Sequence, residues 1–138
     1  MKIVVMVKEV PDTYGTRTLD LGTGLSERFR SEPVLDEIGE RAIEAALAYR
    51  ERGHNAEIIV VSMGPGTTTA TLQKALAMGA DSAVHIVDDA LIGADLLLTA
   101  EVLASAVRKI GDVDLVLAGD QSSDGSAGIV PAMMSELL

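Results

Sequence analysis

The sequence predicts an α/β fold: a three-layer open parallel sheet with helices on both faces. Short apolar runs and amphipathic helices alternate along the chain in the order β-α-β-α-β-α-β-α, which is typical of a parallel sheet with right-handed crossovers. The length of 138 residues suits a single domain. Hydrophobic residues make up 48% and aromatic residues only 2%, so we expect a core of small and β-branched aliphatic side chains.

The chain opens with a strand and a polar segment. Residues 3–7 are apolar and mostly β-branched, which predicts a central buried strand. Residues 10–13 contain a proline and are expected to break regular structure. The polar segment that follows carries a predicted hairpin between residues 18–21 and residues 25–29.

The remaining elements follow from hydrophobic spacing and from capping residues. Apolar residues at helical spacing predict an amphipathic helix over residues 37–52, with Asp36 as its N-cap and Gly53 as its C-cap. The other predicted elements are a buried strand over residues 56–62, a helix over 67–78, a strand over 83–87, a helix over 92–110, a strand over 114–118 and a helix over 129–138.

Charge and composition exclude several classes of function. Eleven Lys and Arg residues face 21 Asp and Glu residues, and the net charge of −10 argues against a broad nucleic-acid surface. The chain has no cysteine, which excludes disulfides, thiolate metal ligands and a cysteine nucleophile. Because this suits a reducing compartment, we expect a cytoplasmic protein. No apolar run approaches the roughly 20 residues of a membrane span.

A ligand is expected at the carboxyl edge of the predicted sheet. In open parallel sheets, ligands bind beyond the carboxyl ends of the strands, where the strand order reverses. If the first strand is central and the second and fourth strands flank it, this crevice lies between the ends of the first and fourth strands. Residues 7–12, 63–66 and 119–128 are then the loops that reach it.

The loop over residues 119–128 carries the strongest chemical signal. Gly119 and Gly125 are predicted to adopt backbone conformations closed to other residues, and Gly128 to allow close approach at a helix start. Free N–H groups from Gly125 to Gly128 suit a phosphate. Asp124 instead suits a ribose hydroxyl or the N–H groups of the loop itself. An ordinary polar turn between a strand and a helix fits the same residues, and both interpretations stay open.

Stronger signatures of chemistry are missing from the sequence. There is no G-x-x-x-x-G-K-[ST] motif, and no G-x-G-x-x-G follows the first predicted strand. His54 and His85 lack metal-ligand spacing and are predicted to be structural or solvated. We therefore predict a binding role, with neither a bound metal nor independent catalysis.

Five segments, taken in order, resemble the electron-transfer flavoprotein β subunit. Residues 3–12 (IVVMVKEVPD) resemble its first strand and Lys-x-Val-Pro-Asp turn, and residues 37–46 resemble its first long helix. Residues 60–65 (VVSMGP), 74–81 (KALAMGAD) and 114–125 (DLVLAGDQSSDG) resemble its Ser-x-Gly-Pro turn, a helix end and its nucleotide loop. Because the matches cover nearly the whole chain, their joint signal is strong, and they imply a fold of the adenine-nucleotide-binding type.

The resemblance implies a heterodimer with an α subunit that holds most of a redox FAD. Such a protein carries electrons from flavoprotein dehydrogenases, including acyl-CoA dehydrogenases of fatty acid oxidation, to a membrane quinone reductase. The β subunit holds AMP without a redox role, whereas in electron-bifurcating relatives a second FAD occupies the same site. Carried over position by position, the cofactor-binding residues are Met6, Asp36, Glu37, Ile38, Gly39, Met63, Gln121, Ser122, Ser123, Asp124, Gly125, Ser126, Ala127, Gly128, Ile129 and Val130.

The chain departs from the family pattern at two places and in its length. Asp36-Glu37 stands where members often carry Asn-Pro, and Asp124-Gly-Ser-Ala127 stands where many carry Asp-Gly-Asp-Thr. Family members continue through further strands and a C-terminal arm, so we expect an N-terminal fragment of a longer subunit that forms a single domain over residues 1–138. A stand-alone nucleotide-binding stress or signalling module of similar fold is the alternative, although it usually carries a late Gly-rich loop ending in Gly-Ser that we do not find.

Overall fold

A computed structural model of the chain describes residues 1–138, apart from the side chain of Phe29. Over these residues no helix combines the length and the apolar character that a membrane crossing requires. The strands are β1 (Lys2–Met6), β2 (Glu9–Pro11), β3 (Pro33–Leu35), β4 (Glu57–Met63), β5 (Ser82–Ile86) and β6 (Leu115–Leu117), and the helices are α1 (Glu37–Glu51), α2 (Thr69–Met78), α3 (Leu96–Ile110) and α4 (Val130–Leu137).

The central sheet is parallel and has the order β5-β4-β1-β6. β1 lies in the middle, as predicted, and pairs with β4 on one side and β6 on the other. Val4, for example, lies opposite Ile59 and Val116. The chain runs from β1 outward to β4 and β5, and then crosses back to β6. The strand order therefore reverses at β1, where parallel sheets place their ligands.

Helices cover both faces of the sheet, which confirms the three-layer α/β fold. On one face Val5 packs in a cluster with Ile43 of α1, and α2 joins the same cluster. On the other face Val4 packs with Leu103 of α3 and Met134 of α4. Each such side chain contributes roughly 1.5–3 kcal/mol on burial. The alternation along β1 thus fixes which helices lie on which face.

Capping residues set the helix ends. Asp36 is the N-cap of α1, as predicted. The C-cap is Arg52, one residue before the predicted Gly53, and Gly53 follows it with a φ of +93°. Helix α3 begins later than the predicted residue 92. The reason is that Gly93 has a φ of +79° and Asp95 caps the helix through its carboxylate.

The expectation that residues 10–13 break regular structure is wrong in part. Val10 lies within β2, which forms an antiparallel pair with β3 outside the main sheet. Pro11 and Pro33 lie opposite each other at the end of this pair. Proline is tolerated there because a terminal position on an edge strand needs no N–H for a ladder.

The polar segment between β2 and β3 reverses direction as predicted, but with less regular structure. Leu19 and Ser26 form an isolated antiparallel bridge. The carboxylate of Asp20 accepts hydrogen bonds from the backbone of Gly22 and Thr23 and so holds the turn. Beyond the bridge the chain forms a 3-10 turn over Arg28–Arg30 in place of the second predicted strand. We call residues 12–32, which leave and return to the β2–β3 pair, the excursion.

Candidate functional site

A cavity of about 680 Å³ lies at the carboxyl edge of the parallel sheet. Residues 7–11 after β1, residues 63–65 at the end of β4 and most of the loop over residues 119–128 line it. These are the three loops that the sequence places at the crevice. Its volume lies within the range of roughly 300–1,000 Å³ that is usual for small-molecule sites.

Two further walls of the cavity were missed by the sequence reasoning. Residues 86–94, which follow β5, form one of them. Their position was accessible to prediction, because the carboxyl end of every parallel strand lies at the same edge. The excursion forms the other wall through Leu25, Ser26 and Arg28. No local sequence pattern predicts that the excursion lines the cavity, because this placement depends on how the β2–β3 pair returns the chain to the sheet.

The backbone of the loop over residues 119–128 differs from the prediction. Gly119 and Gly125 do not have a positive φ, so the predicted need for a backbone conformation closed to other residues is wrong at both positions. Positive φ values occur instead at Ser126 (+50°) and Gly128 (+64°). Gly119 is needed for packing, because an added Cβ would overlap the side chain of Ile38.

Some N–H groups of this loop form hydrogen bonds within the loop, and others have no partner among the described residues. The N–H of Gly125 donates to Ser122 Oγ (3.3 Å), and the N–H of Ser126 donates to the Ser122 carbonyl (2.9 Å). Within the described part of the chain, the N–H groups of Ala127 and Gly128 have no protein acceptor. Both residues line the cavity. The predicted set of free donors therefore narrows to two neighbouring groups just before α4.

Asp36 joins the start of α1 to this loop. Its side chain lies in a residue only 2% exposed, and one carboxylate oxygen accepts from Ile38 N (3.3 Å). The other oxygen accepts from Ser123 N (2.9 Å). One buried carboxylate thus caps the helix and anchors the loop, and it remains on the cavity wall. Because an ionised carboxylate forms strong hydrogen bonds with backbone N–H groups, Asp36 fixes the position of the loop relative to α1.

Asp124 lies behind the cavity wall, where it forms two ion pairs. Its side chain is 6% exposed, with Oδ1 at 2.8 Å from Lys8 Nζ and Oδ2 at 2.5 Å from the Arg28 guanidinium. Burial alone would raise the pKa of Asp124. Hydrogen bonds and attraction from Lys8, together with Ser122 and Arg28, outweigh burial and hold this pKa well below its usual range. Asp124 is therefore ionised at neutral pH.

Most of the predicted site residues line the cavity, and five do not. The lining residues are Met6, Asp36, Gly39, Met63, Gln121, Ser122, Gly125, Ala127, Gly128, Ile129 and Val130. The others are Glu37 and Ile38 in the first turn of α1, Ser123 and Asp124 in the bonded part of the loop, and the exposed Ser126. Contact between a nucleotide and any of these residues stays a prediction.

The two histidines lie in structural contacts. His54 stacks on Tyr49, with ring centroids 4.2 Å apart. His85 Nε2 lies 3.2 Å from the Gly64 carbonyl oxygen, which joins β5 to the turn after β4. Over residues 1–138 as described, no three His, Cys, Asp or Glu side chains come together as a metal site would require.

The fold and the crevice define an open parallel α/β domain of the kind that places a ligand where its strand order reverses. A family model described as "Electron transfer flavoprotein domain" matches residues 27–138. The chain is 44% identical over 140 residues to "Electron transfer flavoprotein subunit beta" of Mycobacterium leprae, covering 99% of this chain and 53% of the relative. The chain therefore belongs to the electron transfer flavoprotein β-subunit family.

Two other relatives carry different names. "Caffeyl-CoA reductase-Etf complex subunit CarD" of Acetobacterium woodii is 38% identical over 138 residues, which covers 100% of this chain and 52% of the relative. "Protein FixA" of Azorhizobium caulinodans is 39% identical over 142 residues, which covers 99% of this chain and 50% of the relative. The chain thus spans about half the length of the curated relatives that it matches.

Proposed function

We propose that this chain forms the nucleotide-binding half of the β subunit of a heterodimeric electron-transfer flavoprotein, and that its cavity holds AMP in a structural role. The observation that carries the proposal is the pair of free N–H groups at Ala127 and Gly128 on the cavity wall. They precede α4 at the carboxyl edge between β1 and β6. Backbone donors at a helix start suit a phosphate even in a chain as acidic as this one.

The redox chemistry belongs to the complete heterodimer. We place the redox FAD mainly on an α subunit, with flavoprotein dehydrogenases as electron donors and a membrane quinone reductase as acceptor. In this arrangement the β subunit binds, orients and stabilises, and it catalyses no reaction of its own. The family membership of the chain and the names of its relatives support this division of roles. A cytoplasmic location stays a prediction.

A second FAD in the same cavity is the alternative, and two features favour keeping it. The volume of about 680 Å³ is about twice the lower end of the small-molecule range of roughly 300–1,000 Å³, which leaves space beyond a mononucleotide. The cavity also has an apolar, solvent-exposed part, which we call the outer wall and define by Leu25, Ile92 and Leu96. A flat ring system extending from the phosphate end would bury these side chains.

Small molecules released from the native protein test the proposal. The full-length protein is purified with its α partner without added nucleotide, denatured, and its supernatant quantified by mass spectrometry. We expect AMP and FAD in equal amounts. FAD at twice the amount of heterodimer, with no AMP, would replace the proposal by the alternative. A well-folded heterodimer that releases FAD from the α subunit and no nucleotide from the β site would contradict both.

A reductive titration measures the redox role independently. If AMP fills the β site, dithionite reduces only the flavin of the α subunit. A second FAD would double the number of electrons taken up per heterodimer. Size-exclusion chromatography addresses the stand-alone alternative, because a stable ATP-binding homodimer without an α subunit would favour that module instead.

A further inference from the structure

Two cationic side chains face the cavity and are held there by one buried carboxylate. Within the described wall of the cavity, Lys8 and Arg28 are the two basic residues. Their side chains are 40% and 41% exposed, and each contacts a different oxygen of Asp124. Asp124 is nearly buried and lies outside the wall. Because an ammonium has three donors and a guanidinium five, both groups keep N–H donors for another acceptor.

Five acidic side chains also line the cavity, and they restrict where an anion can lie. The acidic lining residues are Glu9, Asp36, Asp88, Asp89 and Asp120. Carboxylates repel a phosphate at short range, and a low-dielectric cavity strengthens the repulsion. Lys8 and Arg28 carry two positive charges, and the one charge of Asp124 offsets them only in part. We therefore expect an anionic ligand to lie beside these two cations.

The cationic end coincides with the free backbone donors of the loop. Lys8 Nζ donates to Ser122 Oγ (3.2 Å) and lies 3.9 Å from the point where a Cβ on Gly125 would stand. Ala127 and Gly128, with their free N–H groups, follow directly in the chain. Both cations thus contact the loop that carries the two free backbone donors, and all four residues line the same cavity.

We infer that Lys8 and Arg28 bind the phosphate of the nucleotide, together with the N–H groups of Ala127 and Gly128. Ionic hydrogen bonds of this type are shorter and about twice as strong as neutral ones. The contacts to Asp124 restrain both cations before the ligand arrives, which lowers the cost of ordering them on binding. This role rests on the proposed function of the cavity. It holds for AMP and for FAD alike, because both ligands carry a phosphate.

Calorimetric titration of the nucleotide-depleted full-length heterodimer tests the role, with AMP and adenosine as probes. We expect Lys8→Gln and Arg28→Gln each to weaken AMP binding about tenfold, since one ionic hydrogen bond is lost. Adenosine lacks the phosphate, so its affinity should stay within about twofold of wild type. Lys8→Arg keeps the cation and should retain most of the AMP affinity.

Two variants that remove the same charge elsewhere serve as matched controls. Arg30 is two residues from Arg28, is 64% exposed and pairs with Glu27. Lys109 is exposed on α3. Arg30→Gln and Lys109→Gln should leave AMP affinity within about twofold of wild type, because both side chains are exposed to screening by solvent and neither lines the cavity.

Three results would overturn the assignment. Unchanged AMP affinity in both Lys8→Gln and Arg28→Gln would place the phosphate elsewhere in the cavity. Equal losses of AMP and adenosine affinity would show that the two side chains only support the fold. A wild-type heterodimer that binds neither probe, although correctly folded and depleted of nucleotide, would instead reject the proposed function on which the assignment depends.

Discussion

Replacing Asp124 with asparagine should destabilise the protein in a pH-dependent way. The substitution keeps the size of the side chain and removes its charge, so that the ion pairs with Lys8 (2.8 Å) and Arg28 (2.5 Å) are both lost. Breaking a fully buried ion pair costs about 3–5 kcal/mol, whereas an exposed pair contributes only about 0–1 kcal/mol. Asp124 is nearly buried but its partners are about 40% exposed, so we expect a loss of about 2 kcal/mol at pH 7.

The sign of the pH dependence follows from the lowered pKa of Asp124. In the unfolded chain an aspartate has a pKa of about 3.9, whereas in the folded protein the pKa of Asp124 lies well below this value. The stability that the charge contributes is therefore complete above the unfolded pKa. It is lost as the pH falls from there toward the folded pKa. The difference between wild type and Asp124→Asn should accordingly narrow by about 1 kcal/mol between pH 7 and pH 3.

Urea unfolding followed by circular dichroism at both pH values measures this difference. Asp120→Asn is the control, because Asp120 is exposed in the same loop and its substitution changes the net charge equally. We expect the control to stay within about 0.5 kcal/mol of wild type. An equally small effect of Asp124→Asn at pH 7, or a difference as large at pH 3 as at pH 7, would refute the stabilising role of the two ion pairs.

Two glycines give further predictions with internal controls. Gly119→Ala should cost about 1–3 kcal/mol in urea unfolding, because its Cβ overlaps Ile38, and an added Ile38→Ala should recover most of the cost of the clash. Additive losses in the double variant would contradict that contact. Gly128→Ala should cost about 1–2 kcal/mol because of its positive φ and should lower the AMP content of the purified heterodimer. Gly53 also has a positive φ (+93°), but it lies in open space away from the cavity, so Gly53→Ala is the control. This variant should lose a similar amount of stability and keep its AMP content. Loss of AMP from both variants would mean that backbone strain, and not the position of Gly128 beside the nucleotide, controls the AMP content.

The parallel sheet could be predicted because its strands are buried on both faces. Ile3, Val4 and Val5 are fully buried in β1, and a continuous apolar run of this kind is typical of a central parallel strand. The β2–β3 pair could not be predicted in the same way. Its strands have three residues each, both contain proline, and their pairing depends on contacts across more than twenty intervening residues rather than on local preference.

Part of the candidate site was predictable for the same topological reason. Loops after parallel strands share one edge of the sheet, so the loop over residues 119–128 could be placed beside β1 from the order of the elements. The role of individual side chains could not. Arg28 and Asp124 are separated by 96 positions in the chain, and their contact requires the excursion to return over the cavity. A glycine at position 119 predicts backbone freedom, whereas the structure shows close packing against Ile38.

If the cavity holds a nucleotide as proposed, the choice between AMP and FAD depends on the outer wall, because the phosphate end would suit both ligands. A phosphate in the inferred position, beside Lys8, Arg28 and the N–H groups before α4, would fix one end of either molecule. AMP would then leave the apolar residues of the outer wall to solvent or to a partner subunit. Ile92 is 74% exposed in this wall. Burying its side chain against a flavin ring would contribute roughly 25 cal/mol of binding free energy per Å² of apolar surface. A partner protein that covers the opening of the cavity would bury the same apolar surface. In the proposed heterodimer the identity of the nucleotide and the position of the α subunit are therefore coupled, and a measurement of one constrains the other.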